Sequence, residues 1–378
     1  MATVRYAVVG CGQRMLHLVG LLSSYDDIKL VGSWDPDARN SETLNRRGSP
    51  LQTLAPVQAY EDLLRLPGLD WVFVGSPNVF HRPQIEAALG YGKHVFSEKP
   101  LATSLEDCFA LASLAAGSNR TLVTGFTLRY SPLYRRVKAV LDAGTIGKVV
   151  SIDANENLAP GHGAYIMTNW RRDYAVAGAH ILEKCVHDLD LLNWFTGSVP
   201  LRVAAFGGNN VFVPEQAGLF EKTGTFLSWP ATLATGLNPF TTEKTIEDNI
   251  VTILEYANGA RAQFQLTSSN PLGERRMYIS GTEGNLVVDL VSGVVKVKTI
   301  FDSHTTVWDT ADAEDGHGGG DEVMIEELVQ TMVHGVPMAT GIGEGLRSTI
   351  VGLSLDRARR EGRVVALDQV WTDLEARY

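Results

Sequence analysis

Short apolar runs alternate with amphipathic stretches through about the first 125 residues, the rhythm of strands joined by crossover helices. Val4–Val9 reads as a buried strand and Gln13–Ser23 as the helix after it. Ile28–Ser33 reads as a second strand, followed by a helix over Pro36–Arg46 with Pro36 in its first turn. Trp71–Gly75, His94–Phe96 and Thr121–Gly125 are further strands, with helices over Phe80–Leu89 and Leu105–Ala116. That order predicts parallel strands with helices on both faces, a doubly wound sheet.

Beyond residue 125 the rhythm changes. A helix over Pro132–Ala143 leads through Gly144 and Gly147 into a strand, Val149–Asn157, then a loop and a long apolar helix, Ile181–Phe195. From 200 to 309 the pattern is mostly strands with turn signals between them. Asn258-Gly259 predicts a hairpin with positive φ at both turn positions, and Gly281–Gly284 another tight turn. Two helices, Glu322–Val333 and Glu344–Arg360, close the chain. The expected architecture is an α/β, Rossmann-type doubly wound domain over 1–128, followed by an α+β domain over 129–378 with a large open, mostly antiparallel sheet.

Composition narrows the class. The 378 residues suffice for two cores, and 20% charged with 44% apolar residues is the balance of a soluble globular protein. A net charge of −10 with no basic stripe argues against a nucleic-acid partner. No apolar run approaches the roughly 18 residues that span a bilayer, and no signal-like segment follows Met1. Cys11, Cys108 and Cys185 lie far apart in no metal-like spacing, which predicts free thiols in a reducing cytoplasm and no metal site.

The first strand ends in Gly10-Cys11-Gly12-Gln13-Arg14-Met15, where two glycines let the backbone turn and approach a pyrophosphate on the helix N-terminus. Met15 stands where the dinucleotide fingerprint usually has a small residue, which predicts a slightly displaced helix. Asp35 closes the second strand, where a carboxylate accepts both ribose hydroxyls of adenosine and repels a 2′-phosphate. NAD is therefore expected over NADP. A helix N-cap is the plainer role for Asp35, compatible with the first.

Two polar clusters follow at strand C-terminal ends: Ser76-Pro77-Asn78 with His81, and Glu98-Lys99-Pro100. With Gly125–Arg129, Gly144–Val149, Trp170-Arg171 and the Glu183, His187, Asp190 series, the chain resembles the Gfo/Idh/MocA family from residue 4 to about 360. The resemblance implies an oxidoreductase that works on sugars or polyols. It places Ser76, Pro77, Asn78, His81, Glu98, Lys99, Arg129, Trp170 and Arg171 at the cofactor.

Oxidising an alcohol takes a base for the hydroxyl proton and a group that stabilises the developing alkoxide. Lys99 suits the second task. Glu183 and His187 are four residues apart and Asp190 three further on, so all three share one face of a helix. His187 is the expected base, its ordinary pKa lying nearest neutrality. A buried structural network is the rival reading, with Lys184 and Asp188 as a plain i,i+4 pair. The family's Asp is Glu183 here, which binds a substrate hydroxyl or orients Lys99; Asp190 is a candidate partner for the other ring nitrogen. Asn155 and Asn157 alternate with Asp153 on one strand face that either reads sugar hydroxyls or is half exposed. Asn157 and Arg171 join Lys99, Glu183 and His187 as expected substrate contacts. His317 reaches a substrate pocket or serves its loop, and Asp321 reads as an N-cap.

The expected activity is hydride transfer between a secondary hydroxyl of a sugar, glycoside or polyol and NAD, by a homodimer or homotetramer. The alternative is a redox-neutral glycosidase that oxidises C3 transiently, eliminates and re-reduces. A non-catalytic sugar sensor is the lesser rival.

Overall fold

The computed structural model describes residues 3–49, 54, 57–222, 235–309 and 316–377. Two compact units divide the chain: 1–130 with 319–346 and 373–378, and 131–318 with 347–372.

In the first unit, β1 (Val4–Val9), β2 (Ile28–Trp34), β3 (Trp71–Val74), β4 (His94–Ser97) and β5 (Leu122–Thr124) form a parallel sheet in the order β2-β1-β3-β4-β5. The order reverses between β1 and β3, and the carboxyl ends of those strands make the crevice where ligands bind in such sheets. Phe73 packs between Tyr6 and Phe96 in tilted ring contacts, each 5.0 Å between centroids, and Met15, Leu18 and Leu22 of the helix Gln13–Leu22 join the same core without exposure.

That core is completed from far along the chain. Met324, Ile325, Leu328, Val329 and Met332 of the helix Gly320–His334 join it. A single boundary at 128/129 therefore does not describe the packing. The apolar face of this helix finds its partners in residues some 300 positions earlier, a pairing that local periodicity does not encode.

The second unit holds a nine-stranded sheet in the order β13-β12-β11-β10-β6-β9-β8-β7-β14. Its strands are β6 (Val149–Asn157), β7 (Pro200–Gly208), β8 (Asn249–Tyr256), β9 (Arg261–Thr267), β10 (Arg276–Gly281), β11 (Gly284–Asp289), β12 (Val294–Thr299), β13 (Thr306–Asp309) and β14 (Val365–Ala366). All neighbours are antiparallel except β6 and β9. One face is buried; the other carries the alternate residues, as in β8, where Ile250, Thr252 and Leu254 are buried and Val251 and Ile253 exposed.

Several local expectations are corrected. The hairpin at Asn258-Gly259 has positive φ at Gly259 alone, +85°, and Tyr256 N donates to Ala260 O, so three residues form the loop. That is a type I turn closed by a left-handed glycine, not the two-residue form. The helix expected from Pro36 spans Ala38–Gly48 and is capped by Asp37, whose carboxylate accepts from Arg39 N. Asp321 is not a cap: Gly319 holds that position and Asp321 lies in the first turn. The loop after β6 contains a helix, Pro160–Thr168, and Asp368–Glu375 adds a further helix near the C-terminus. The long helix Ile181–Phe195 is interrupted. It runs as His180–Glu183 and Val186–Thr196 with Lys184 and Cys185 between, so Glu183 and His187 stand on either side of a break.

Candidate functional site

In the first unit the glycine loop leaves β1 at the switch point. Gly10 has φ +84°, and a Cβ there would lie 2.3 Å from Ser76 N, so this loop and the one after β3 touch through bare backbone. The position beside Gly12 is open, and Gly12 begins the helix Gln13–Leu22 with no side chain capping its N–H groups. An open, uncapped helix N-terminus at a switch point fits the pyrophosphate of a dinucleotide. Met15 is fully buried over Gly75, whose Cβ would strike it at 2.3 Å, so the bulk at the third fingerprint position is absorbed by a glycine opposite.

Asp35 binds the loop as well. Its Oδ2 accepts from Cys11 N (2.8 Å), and its Oδ1 from Asp37 N (2.9 Å) and Asn40 Nδ2 (3.1 Å). Arg14 is a three-way clamp: Nε donates to Glu98 (2.9 Å), Nη1 to Asp321 (2.7 Å) and Nη2 to Thr127 Oγ1 (2.6 Å). Glu98 and Asp321 hold its guanidinium charged, and His17 adds a 3.2 Å contact to Asp321. Arg14 thereby ties the glycine loop to the turn that carries Lys99, whose peptide bond to Pro100 is cis.

Ser76 Oγ donates to Gln84 (2.6 Å). His81 is buried with Nδ1 at Pro100 O and Nε2 at Ser76 O, both 2.7 Å, and burial lowers its pKa. Its ring nitrogens serve the two loops rather than a ligand. Pro77 begins the short turn Asn78–Phe80; Asn78 and Arg129 are buried, Arg129 in the turn Thr127–Tyr130.

In the second unit Arg171 lies 4.4 Å over the Trp170 ring, donates from Nε to Glu183 (2.7 Å) and from Nη1 to Tyr165 OH (2.9 Å). Glu183 is thus a partner of Arg171. His187 is 4% exposed, and its ring centroid is 5.9 Å from that of His317. Asp190 accepts from Ser348 Oγ (2.9 Å). Asn157 accepts from Thr267 Oγ1 (2.7 Å), Asn155 accepts from Arg276 N (3.1 Å) and Asp153 from Gln263 (2.8 Å), so this strand face is largely bound to its neighbours.

A charge network that the sequence did not reveal lies behind the helix break. Arg275 donates to both oxygens of Asp188 (2.9 and 2.6 Å) and lies 3.2 Å from Glu156, which also pairs with Lys184 (3.1 Å). Lys184 and Asp188 therefore pair elsewhere, not with each other. Arg275, Asp188 and Glu156 are 5%, 0% and 3% exposed. The two cations hold the Glu156 carboxyl down at about 2. Glu156, Cys185 and Asp188 approach one another closely enough to suggest metal ligands, but Lys184 and Arg275 already fill that charge. Two carboxylates and two cations balance, as a buried cluster must. Its members are up to 119 residues apart, and no local spacing announces them.

Residues 4–126 match the family described as "Oxidoreductase family, NAD-binding Rossmann fold", and residues 134–287 match the "GFO/IDH/MocA C-terminal domain". The chain is 24% identical over 336 residues to the 2,7-anhydro-N-acetylneuraminate hydratase of Escherichia coli, covering 88% of this chain and 80% of that protein. It is 26% identical over 288 residues to the scyllo-inositol 2-dehydrogenase (NAD(+)) of Bacillus subtilis, covering 75% and 73%. The solved scyllo-inositol dehydrogenase of Lactobacillus casei, with NAD(H) and scyllo-inositol bound, shares the fold at a TM-score of 0.73 and 22% identity, over 97% and 99% of the two chains.

Proposed function

Because the chain belongs to the Gfo/Idh/MocA family of NAD-binding oxidoreductases, we propose that it moves a hydride between a secondary hydroxyl of a sugar, glycoside or polyol and NAD. The observation that carries this reading is Arg14, which clamps the turn of Glu98 and Lys99 to an open, uncapped dinucleotide loop. Alcohol oxidation needs a nicotinamide beside the reacting carbon, a group such as Lys99 at its oxygen, and a base for the hydroxyl proton.

When bound, NAD would supply the hydride acceptor; Gly10, Gly12, Gln13, Arg14 and Met15 would lend loop backbone to its phosphates, and Asp35 would hold its adenosine ribose. Lys99 donates a hydrogen bond to the substrate oxygen and stabilises it as negative charge develops. His187 takes the hydroxyl proton. Glu183 acts on substrate through Arg171, whose guanidinium and the Trp170 ring it positions. Asp35 favours NAD: NAD binds at least about tenfold tighter than NADP, roughly 1.4 kcal/mol, and equal affinity in calorimetry overturns that preference.

The Escherichia coli relative, named as a hydratase, favours a second reading in which the cofactor is oxidised and reduced within one turnover. Stoichiometry separates the two. A dehydrogenase forms one NADH per product; a redox-neutral enzyme converts glycoside with no net NADH. We assign the protein to the cytoplasm, in keeping with three free cysteines, and to a homodimer or homotetramer joined through the open sheet face. Among the described residues no helix is long and apolar enough to cross a membrane.

A further inference from the structure

A second imidazole stands beside the proposed base. His187 is 4% exposed, on a helix whose Val186, Leu189 and Leu191 are fully buried. A base that takes a proton at that depth must pass it on before the next turnover. Asp188, the next residue, is held through both carboxylate oxygens by Arg275. His317, partly exposed, has its ring 5.9 Å from that of His187, centroid to centroid, at an interplanar angle of 55°.

The loop that carries His317 is pinned at the next residue. Ser131 Oγ donates to Gly318 O (3.0 Å), and Gly318, at φ +59°, packs so closely that a Cβ would meet Leu290 at 2.7 Å and Ser131 Oγ at 2.9 Å. The ring is therefore held beside His187 by an anchored backbone. Both histidines belong to the same compact unit.

We propose that His317 is a proton relay between His187 and solvent. The inference rests on His187 being the base. In the oxidative direction the substrate hydroxyl gives its proton to one ring nitrogen of His187, while the hydride leaves the carbon for NAD. His187 releases a proton toward His317, which delivers it to water; reduction runs the same path in reverse. An imidazole can accept at one nitrogen and release at the other, and one bridging water or a modest ring rotation spans the separation. His317 acts through His187, so it is a relay and not a substrate contact.

The path is testable without knowing the substrate. In the full-length protein labelled with ¹⁵N-histidine, the exchange of the His187 imidazole N–H with water is measured by NMR, in wild type, His317→Ala and His317→Asn. Removing the relay slows that exchange about tenfold, and free imidazole added to His317→Ala restores it, as expected for a missing proton carrier. His180 is the internal reference, being 1% exposed with Nδ1 2.9 Å from Glu247 O in the same unit. Unchanged or faster His187 exchange overturns the relay, as does a slowing that imidazole does not relieve or a parallel change at His180. Turnover of His187→Ala tests the base on its own. If that variant keeps full activity the base assignment falls; if it loses activity while exchange ignores His317, the relay alone falls.

Discussion

In the proposed mechanism, Lys99 and His187 are the residues whose removal separates chemistry from binding. Lys99→Ala and His187→Ala each lower turnover by roughly 10²–10⁴ while NAD affinity holds, read by steady-state kinetics beside calorimetric titration. Near-normal turnover for His187→Ala at neutral pH returns it to the ranks of core histidines. Glu183 behaves differently, because its carboxylate is bonded to Arg171 at 2.7 Å. Glu183→Gln leaves a largely enclosed guanidinium with a neutral partner and costs about 1–3 kcal/mol, seen as a lower melting temperature. Glu183→Asp keeps the charge but withdraws it by about 1.5 Å, so turnover falls with a smaller thermal penalty. A Glu183→Asp variant that is fully active, and as stable as wild type, removes Glu183 from the machinery. At this scale the sequence offered candidates for the chemistry but not what they touch. Glycine spacing and the Glu98-Lys99-Pro100 run are local signals. The partnerships of Arg14 with Asp321 and Arg275 with Asp188 join residues that only the tertiary fold brings together.

Elements were legible where periodicity was clean. The five parallel strands follow from short apolar runs, and the helix Gln13–Leu22 from its apolar stripe. The interrupted helix was not legible, because a segment that is apolar nearly all round has no stripe to show where it bends. No proline or glycine marks Lys184-Cys185; the break coincides with the pull of Lys184 toward Glu156 and of Asp188 toward Arg275. The helix Pro160–Thr168 was missed because Gly161 and Gly163 dilute its pattern, although Pro160 at its start was a usable sign. The buried network that replaces such local signals has its own pH signature. Glu156 is held from its ordinary 4.5 to about 2, so its stabilisation is present above about 4.5 and is lost as pH falls toward 2. In Glu156→Gln the melting temperature is lower at neutral pH and declines less steeply between pH 4.5 and 2. An equally steep acid limb in that variant assigns acid unfolding to other carboxylates.

The whole molecule presents one face that needs explaining. Phe206 is 74% exposed on the open side of the nine-stranded sheet, in register with Val251 on β8, and Ile253 beside it is 59% exposed. An apolar cluster on a wide sheet favours burial against another copy of the same surface. On the proposed assembly through this face, the double variant Phe206→Lys with Ile253→Lys falls to monomer mass in sedimentation, with each protomer still binding NAD. An unchanged mass places the interface elsewhere.

The helix Gly320–His334 has a consequence for how the protein is made. The core around Met15, Leu18 and Phe73 is finished only when Met324, Ile325 and Leu328 arrive. A ribosome that has released the first 130 residues has therefore produced a nucleotide-binding sheet with one side of its core still bare. It stays so while the whole second unit up to residue 318 is translated. Bare apolar surface on a growing chain invites aggregation and chaperone capture. The dinucleotide site thus depends for its maturation on a helix translated long after its own strands, one that also brings Asp321 to Arg14.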